Sequence, residues 1–403
     1  MSRWMLWVVV ACGSLGMQLP AHAAGKYGPG VTDKEILIGQ TAPYSGPASA
    51  YGTCGRANDA YFRMVNDQGG VNGRKLKLLS LDDGYNPAKA IEHTRRLVEQ
   101  DGVLLMFGTV GAPALSVIPY LHAKKVPFLF PTSAHKKFHM PDKYPYTMGW
   151  VPTFGFEGTM FARYILKHRP NAKIAVLWEY DDIGIEEMAD FKAELGAKAK
   201  SMIVAEHSYQ VTDPSIDSQL IAMRNSGADT LVSLTTPKFA MMTIRRAHEM
   251  NWKPLHLITY ASSSIGTVLK PAGVEKAKGV VTAYFGKDAT SPALVDDPEV
   301  VAFHRWRAKY LPDADPGDAC LPYAYMQSAL IVRVLQACGE DLTRENVLRQ
   351  ARSLRSVRVP LMLSGITIDT SDRDYRPIDT MHYLRFDGQA WIPTGESMTE
   401  ASP

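Results

Sequence analysis

Two short turns carry the residue types best suited to gripping a small anion. Gly108-Thr109-Val110-Gly111-Ala112 and Pro131-Thr132-Ser133-Ala134 each follow an apolar run that reads as a strand. In open α/β sheets ligands bind beyond the carboxyl ends of the strands, and a helix begun there offers unpaired N–H groups to a carboxylate. Ordinary connecting loops that bind nothing are the alternative reading of the same residues. Neither turn is a phosphate loop, because no G-x-x-x-x-G-K-[ST] occurs and no G-x-G-x-x-G follows the first strand. His135 and His139 stand four apart, but Lys136-Lys137 between them and Pro141 beyond point to solvated loop histidines rather than a metal pair. Asp82-Asp83 and Asp181-Asp182 each lie just past a strand. Adjacent carboxylates could hold a cation or move protons, yet Asp at strand ends more commonly caps helices and closes turns. Tyr51, Trp150, Trp178, Tyr180 and Tyr284 fall at or near strand ends, where they could line a cleft for a flat or branched apolar ligand. Core packing is the default for any one of them taken singly.

The elements that must position these residues alternate regularly. Strands are expected over Ile36–Thr41, Lys75–Asp82, Leu104–Gly108 and Phe128–Pro131, with helices over Gly55–Asp67, Pro87–Gln100 and Ala114–Lys124, before an irregular stretch at His135–Pro145. After Trp150 the order restarts: helix Phe156–Lys167, strand Lys173–Trp178, helix Glu186–Leu195, strand Ser201–His207, helix Ser215–Ser226. Strand Thr230–Leu234, helix Lys238–Met250 and strand Leu255–Tyr260 complete that half. The remainder adds helices at Glu299–Tyr310, Tyr323–Cys338 and Arg344–Ser353 and a hairpin, Met381–Phe386 with Gln389–Ile392. This is the pattern of an α/β protein with mainly parallel sheets in two similar halves. The tail has too few strands for a third lobe, so it completes the first two.

The N-terminus reads as a secretory signal peptide over residues 1–23. A basic start at Arg3 precedes the apolar run Trp4 to Gly16, and Ala21-His22-Ala23 forms an A-x-A cleavage site. Val9-Val10-Ala11-Cys12 resembles a lipoprotein box, but a cut there would leave Ala21-His22-Ala23 without a purpose, so a free periplasmic protein is the expected form. The formal charge of +3 becomes +2 once Arg3 is removed, and the basic residues are scattered, which argues against a nucleic-acid partner. Apolar content of 46% with 21% charged residues is that of a globular chain. Three cysteines follow the leader: Cys54, Cys320 and Cys338. An exported protein could join two of them, and three buried small side chains are the alternative. Catalytic signatures such as G-x-S-x-G, H-E-x-x-H or C-x-x-C are missing, so neither catalysis, a cofactor nor a metal is expected.

Pro43-Tyr44-Ser45-Gly46-Pro47 with Tyr51-Gly52, the run Val65 to Arg74, Asp82-Asp83 with Asn86-Pro87, Phe107-Gly108, Pro127 to Ser133, Tyr164-Ile165-Leu166, Asp181-Asp182-Ile183-Gly184 and Gly279-Val280-Val281 form an ordered set. In this the chain resembles the periplasmic leucine/isoleucine/valine-binding protein family over nearly its whole mature length. The resemblance implies two Rossmann-like lobes joined by three crossover strands, the type I periplasmic binding protein architecture. Lobe one would comprise residues 34–150 plus 286–379 and lobe two residues 151–285 plus 380–398. It further implies hinge closure on a ligand that is handed to an inner-membrane ABC permease with its cytoplasmic ATPase, by a monomer that catalyses nothing.

Carried over residue by residue, the resemblance places Tyr51 in the cleft, with Thr109, Val110, Gly111 and Ala112 and the paired turn Thr132, Ser133 and Ala134 around a ligand carboxylate. Trp150 is a further expected cleft residue. The second lobe departs from the family pattern. Ala261 stands where amino-acid binders place an acid against the ligand ammonium, and Ile183 and Thr236 stand where they place tyrosines. A buried ammonium without a carboxylate would cost several kcal/mol. The expected ligand is therefore an aromatic, phenylpropenoid, 2-oxo or short aliphatic carboxylate, with branched-chain amino acids or a receptor-coupled sensing role as alternatives. Glu179 or Asp181 could supply the missing charge from another direction.

Overall fold

The computed structural model describes residues 25–400, so the expected leader over 1–23 and Cys12 lie outside the described residues. Two sheets organise the chain. The first holds five parallel strands in the order Lys75–Asp82, Glu35–Ala42, Leu105–Phe107, Phe128–Leu129, Thr147–Met148. The second holds seven, in the order Trp391–Thr399, Thr380–Phe386, Val281–Tyr284, Leu255–Ile258, Thr230–Leu234, Ile174–Glu179, Ile203–Tyr209. Its last five strands run parallel, and the terminal hairpin closes it antiparallel through pairing of Val281–Tyr284 with Thr380–Phe386. Helices cover both faces of the parallel part, which is why Thr230–Leu234 is buried at every residue and reads as one apolar run rather than an alternation.

Local chemistry sets the helix starts. Asn86 caps Pro87–Glu99 by accepting from the Ala88 and Lys89 N–H groups at 2.9 and 3.1 Å, and Pro87 sits in the first turn, where its missing donor costs nothing. Ala90, Thr94 and Leu97 then face the sheet at helical spacing. Thr153 caps Phe154–His168 and Asp181 caps Asp182–Leu195 in the same manner. Several helices begin two to four residues earlier than their apolar periodicity suggested, among them Gly52–Asp67, Gly111–Ala123 and Asp182–Leu195. Their first turns face the interlobe space with small or polar residues, so the apolar signal starts late. The second hairpin strand runs to Thr399, well past the expected Ile392, and the stretch expected to be irregular contains a 3-10 turn at Lys136–His139.

The chain crosses between the sheets after Met148, after Tyr284 and before Thr380. Trp150 marks the junction. Its ring packs edge-on against Phe285 at 5.3 Å, and its carbonyl accepts from Ile378 N at 3.2 Å, so one residue touches all three crossovers. Residues 287–379 return to the first sheet's side, where helices Pro298–Tyr310 and Cys320–Ala337 pack on Gly52–Asp67. Cys54 and Cys320 are joined in a disulfide across that packing, and Cys338 is a buried free thiol at the far end of the helix that Cys320 begins. No described helix is long and apolar enough to cross a membrane.

Candidate functional site

Each parallel sheet has a place where the chain order reverses. In the first it lies between Glu35–Ala42 and Leu105–Phe107, and in the second between Thr230–Leu234 and Ile174–Glu179. Loops diverge from such a point and leave a crevice. The two crevices face each other, and a cavity of about 100 Å³ lies between them, room for several waters or one small organic molecule.

The first lobe contributes Tyr51, Tyr85, Val110, Gly111, Thr132 and Ser133 to its wall. The two turns are stitched together, with Gly111 N donating to the Thr132 carbonyl and Thr132 N to the Thr109 carbonyl, at 3.0 and 2.9 Å. Ser133 Oγ is buried there without a partner. Tyr85 adopts a left-handed backbone, φ +61°, in the turn that Asp83 closes by accepting from Tyr85 N at 2.8 Å. Its ring stands 6.5 Å from that of Tyr51, giving an aromatic wall.

The second lobe contributes Phe154, Ile183, Thr235, Thr236, Tyr260 and Ala261, with Tyr284 and Tyr323 at the crossover end. Phe154 and Tyr260 stack at 5.4 Å. Buried Glu157 holds this wall by accepting from Thr259 Oγ1 at 2.6 Å and Tyr260 N at 2.8 Å. Tyr209 spans the next stretch, donating to Glu179 at 3.0 Å and accepting from Thr236 N at 2.8 Å.

Four carboxyl groups line the cavity, Glu179, Asp181, Glu187 and Asp318, and among the described residues no Lys, Arg or His does. Burial pushes Glu179 up to about 8, with the neighbouring Asp181 charge adding to it, and pushes Asp181 to about 6. Burial also holds Glu187 well above the usual carboxylate range, reinforced by Glu157 and Asp181. The ligand-free cavity therefore favours protonated acids.

Eight of the twelve residues expected around the ligand line this cavity: Tyr51, Val110, Gly111, Thr132, Ser133, Ile183, Thr236 and Ala261. Four do not. Thr109 lies beneath the turn, fully buried, and Ala134 is likewise covered. Ala112 N points to the Tyr85 hydroxyl at a long 3.5 Å. Trp150 belongs to the junction of the crossovers, where its indole donates to the Tyr323 hydroxyl at 2.9 Å, so it backs a cavity residue rather than forming the wall. Of the other aromatics, Tyr284 lines the cavity, whereas Tyr180 is 56% exposed and Trp178 stacks beside it.

The histidines need correcting too. His135 is buried, not solvated, with Nδ1 accepting from Lys137 N and Nε2 3.2 Å from Glu186; burial depresses it to about 4, so it is neutral and Nε2 donates. His139 turns to the Tyr375 carbonyl at 2.9 Å. The first pair bridges the lobes, joined by Lys136 N donating to Glu186 at 3.0 Å and, on the far side, Gly266 N donating to the Gly317 carbonyl at 2.7 Å. Asp181 caps its helix through Gly184 N at 2.8 Å while also facing the cavity, so it does both things the sequence offered. The acids Glu187 and Asp318 and the rings of Tyr85, Phe154, Tyr260 and Tyr323 were not foreseen. The Asp-Asp-Gly turn before Tyr85 was a usable signal; Glu187, one acid among several on an exposed-looking helix, offered none.

Comparisons with known proteins agree with this architecture. A sequence model of the periplasmic binding protein family matches residues 35–390. Leu/Ile/Val-binding protein homolog 7 of Brucella suis biovar 1 is 21% identical over 270 residues, 64% of this chain and 66% of that protein. A branched-chain amino acid ABC transporter protein from Thermus thermophilus with bound valine superposes with a TM-score of 0.80 at 17% identity, covering 91% of this chain and 97% of that one. A solute-binding protein from R. palustris in complex with 4-hydroxybenzoate gives 0.75 at 18% identity, covering 92% and 98%. On the strength of the family match over most of its length, together with two lobes that enclose a cavity at their strand ends, this chain belongs to the periplasmic binding protein family.

Proposed function

We propose that this protein is the capture component of an ABC importer, enclosing a small ligand with a carboxylate and an apolar or aromatic body by hinge closure. The observation that carries the reading is the cavity where the carboxyl ends of both sheets meet, walled by residues of both lobes. The carboxylate would lie against the turns at Val110-Gly111 and Thr132-Ser133, with the ligand body against Tyr51, Tyr85 and Tyr260. Closure removes water from these contacts and strengthens them. The lobes would divide at residues 34–150 plus 286–379 and 151–285 plus 380–398, bending at the crossovers around Trp150. The closed monomer would deliver its ligand in the periplasm to an inner-membrane permease driven by a cytoplasmic ATPase, and would itself catalyse nothing.

A branched-chain amino acid is the second reading, and Glu179, Asp181 and Glu187 favour it because they restore acid to a cavity where Ala261 supplies none. The neighbours bound to valine and to 4-hydroxybenzoate support the amino-acid and aromatic-acid classes respectively. Thermal-shift screening of the mature protein against both classes, confirmed by calorimetry, tests the proposal, since a ligand that binds only the folded state raises the melting temperature by mass action. Stabilisation by at least one compound, with a smaller radius of gyration in solution scattering, is expected. Turnover of a bound compound would refute the non-catalytic role.

A further inference from the structure

The cavity's charge is lopsided in a way that capture of a simple carboxylate does not explain. Glu179 ends strand Ile174–Glu179, Asp181 caps the following helix, and Glu187 lies on that helix near its start, so three carboxyls converge on one pole of the second lobe. The nearest lysines are engaged elsewhere: Lys136 faces Glu186 at 3.7 Å and Lys137 faces Asp182 at 3.5 Å, and neither lines the cavity. Glu157 and Glu186, the other acids packed on this helix, add further negative charge when ionised.

Glu187 is only 3% exposed, lines the cavity, and leaves Oε1 without a hydrogen-bond partner. Thr235 Oγ1, 4% exposed on the same wall, is also unpartnered. Buried polar atoms normally find partners, so these mark where a ligand's donors belong. Across the cavity stand the rings of Tyr51 and Tyr85, whose hydroxyls are held protonated by burial and by the facing Glu179 and Asp181. Acids on one side and ring faces on the other suit a positive charge and repel a lone carboxylate.

We propose that the ligand is an organic cation, an amine or amidine whose charged group is received by Glu179, Asp181 and Glu187, whether or not it also carries a carboxylate for the opposite turns. This rests on the cavity being the capture site, and it names the class of ligand. Because the acids hold protons in the empty cavity, a bound cation ionises them and releases protons to the solvent.

Calorimetry of the mature protein near neutral pH, in phosphate and again in Tris, with phenethylammonium, putrescine, phenylalanine and 3-phenylpropanoate, separates the possibilities. At least one of the three amines is expected to bind, with a heat that depends on the buffer and reports proton release. Glu187→Gln, close to isosteric with the protonated acid, should weaken that amine by about tenfold or more. Asp181→Asn keeps an acceptor for the Gly184 cap and serves as a second variant should the first fail to fold. Binding of 3-phenylpropanoate with none of the amines binding overturns the inference and leaves the capture reading standing. An amine that binds with no proton release and with unchanged affinity in both variants overturns it equally. Failure of all four probes overturns both.

Discussion

Breaking the Cys54–Cys320 bond tests whether the cavity depends on a staple set far apart in sequence. The bond closes a loop spanning 266 residues. The chain-entropy relation for a loop of that length corresponds to about 19 cal/mol/K, or roughly 5.6 kcal/mol at 25 °C, as a ceiling. Helices Gly52–Asp67 and Cys320–Ala337 stay packed without it, which brings the expected loss nearer to about 3 kcal/mol, inside the range common for native disulfides. For a protein of this size that corresponds to a fall in melting temperature of about 6–12 °C. Both cysteines line the cavity, at the helix starts that carry Tyr51 and Tyr323, so ligand affinity should fall as well. The assay is calorimetric melting of the Cys54→Ser/Cys320→Ser variant, with thiol titration of the denatured, unreduced mature protein, which should find Cys338 alone. A melting temperature within about 2 °C of the unaltered protein would refute the stapling argument, and three titratable thiols would refute the bond.

Stability should fall with pH on the alkaline side of neutrality. Burial raises Glu157 and Glu179 to about 8 and Glu186 to about 7, so each binds its proton more tightly folded than unfolded and costs stability as it ionises. Buried His135 and His139, depressed to about 4, and His256, to about 3, act oppositely, their contribution growing only until the unfolded imidazole has titrated. Above about pH 6.5 the acids act alone, so the ligand-free melting temperature should drop toward about pH 8.5; a level or rising profile would contradict the assigned burial. Trp150→Phe removes the donor to the Tyr323 hydroxyl and should cost about 1–2 kcal/mol while weakening ligand binding. Unchanged affinity in calorimetry would show that the indole does not position Tyr323. In Gly111→Ala the added carbon runs into the Tyr85 ring, whereas Gly102→Ala has a similar positive φ and open space. Both should lose stability through strain, about 1 kcal/mol or more, but only the first should also lose affinity.

The carboxylate turns were legible because strand, Gly-rich turn and helix follow one another along the chain, and what such a turn does follows largely from local geometry. Val110, Gly111, Thr132 and Ser133 line the cavity for that reason. Trp150 misled because its position near a strand end says nothing about which side of the junction its ring enters; Phe285 and Tyr323, each more than a hundred residues away, hold it in place. His135 looked solvated beside two lysines because its partner, Glu186, comes from the other lobe.

From residue order alone came the alternation of strands and helices, the two-lobed α/β class and the family likeness, all of which depend on short-range periodicity and turn chemistry that a linear chain records directly. The tertiary structure decided which cysteines pair, where the lobes touch, and above all the charge of the cavity. The departure from the family pattern at Ala261 argued for a site without acid, yet Glu179, Asp181 and Glu187 arrive there from a neighbouring strand and helix. Electrostatic environment is a sum over everything nearby in space, and spacing along the chain does not contain it.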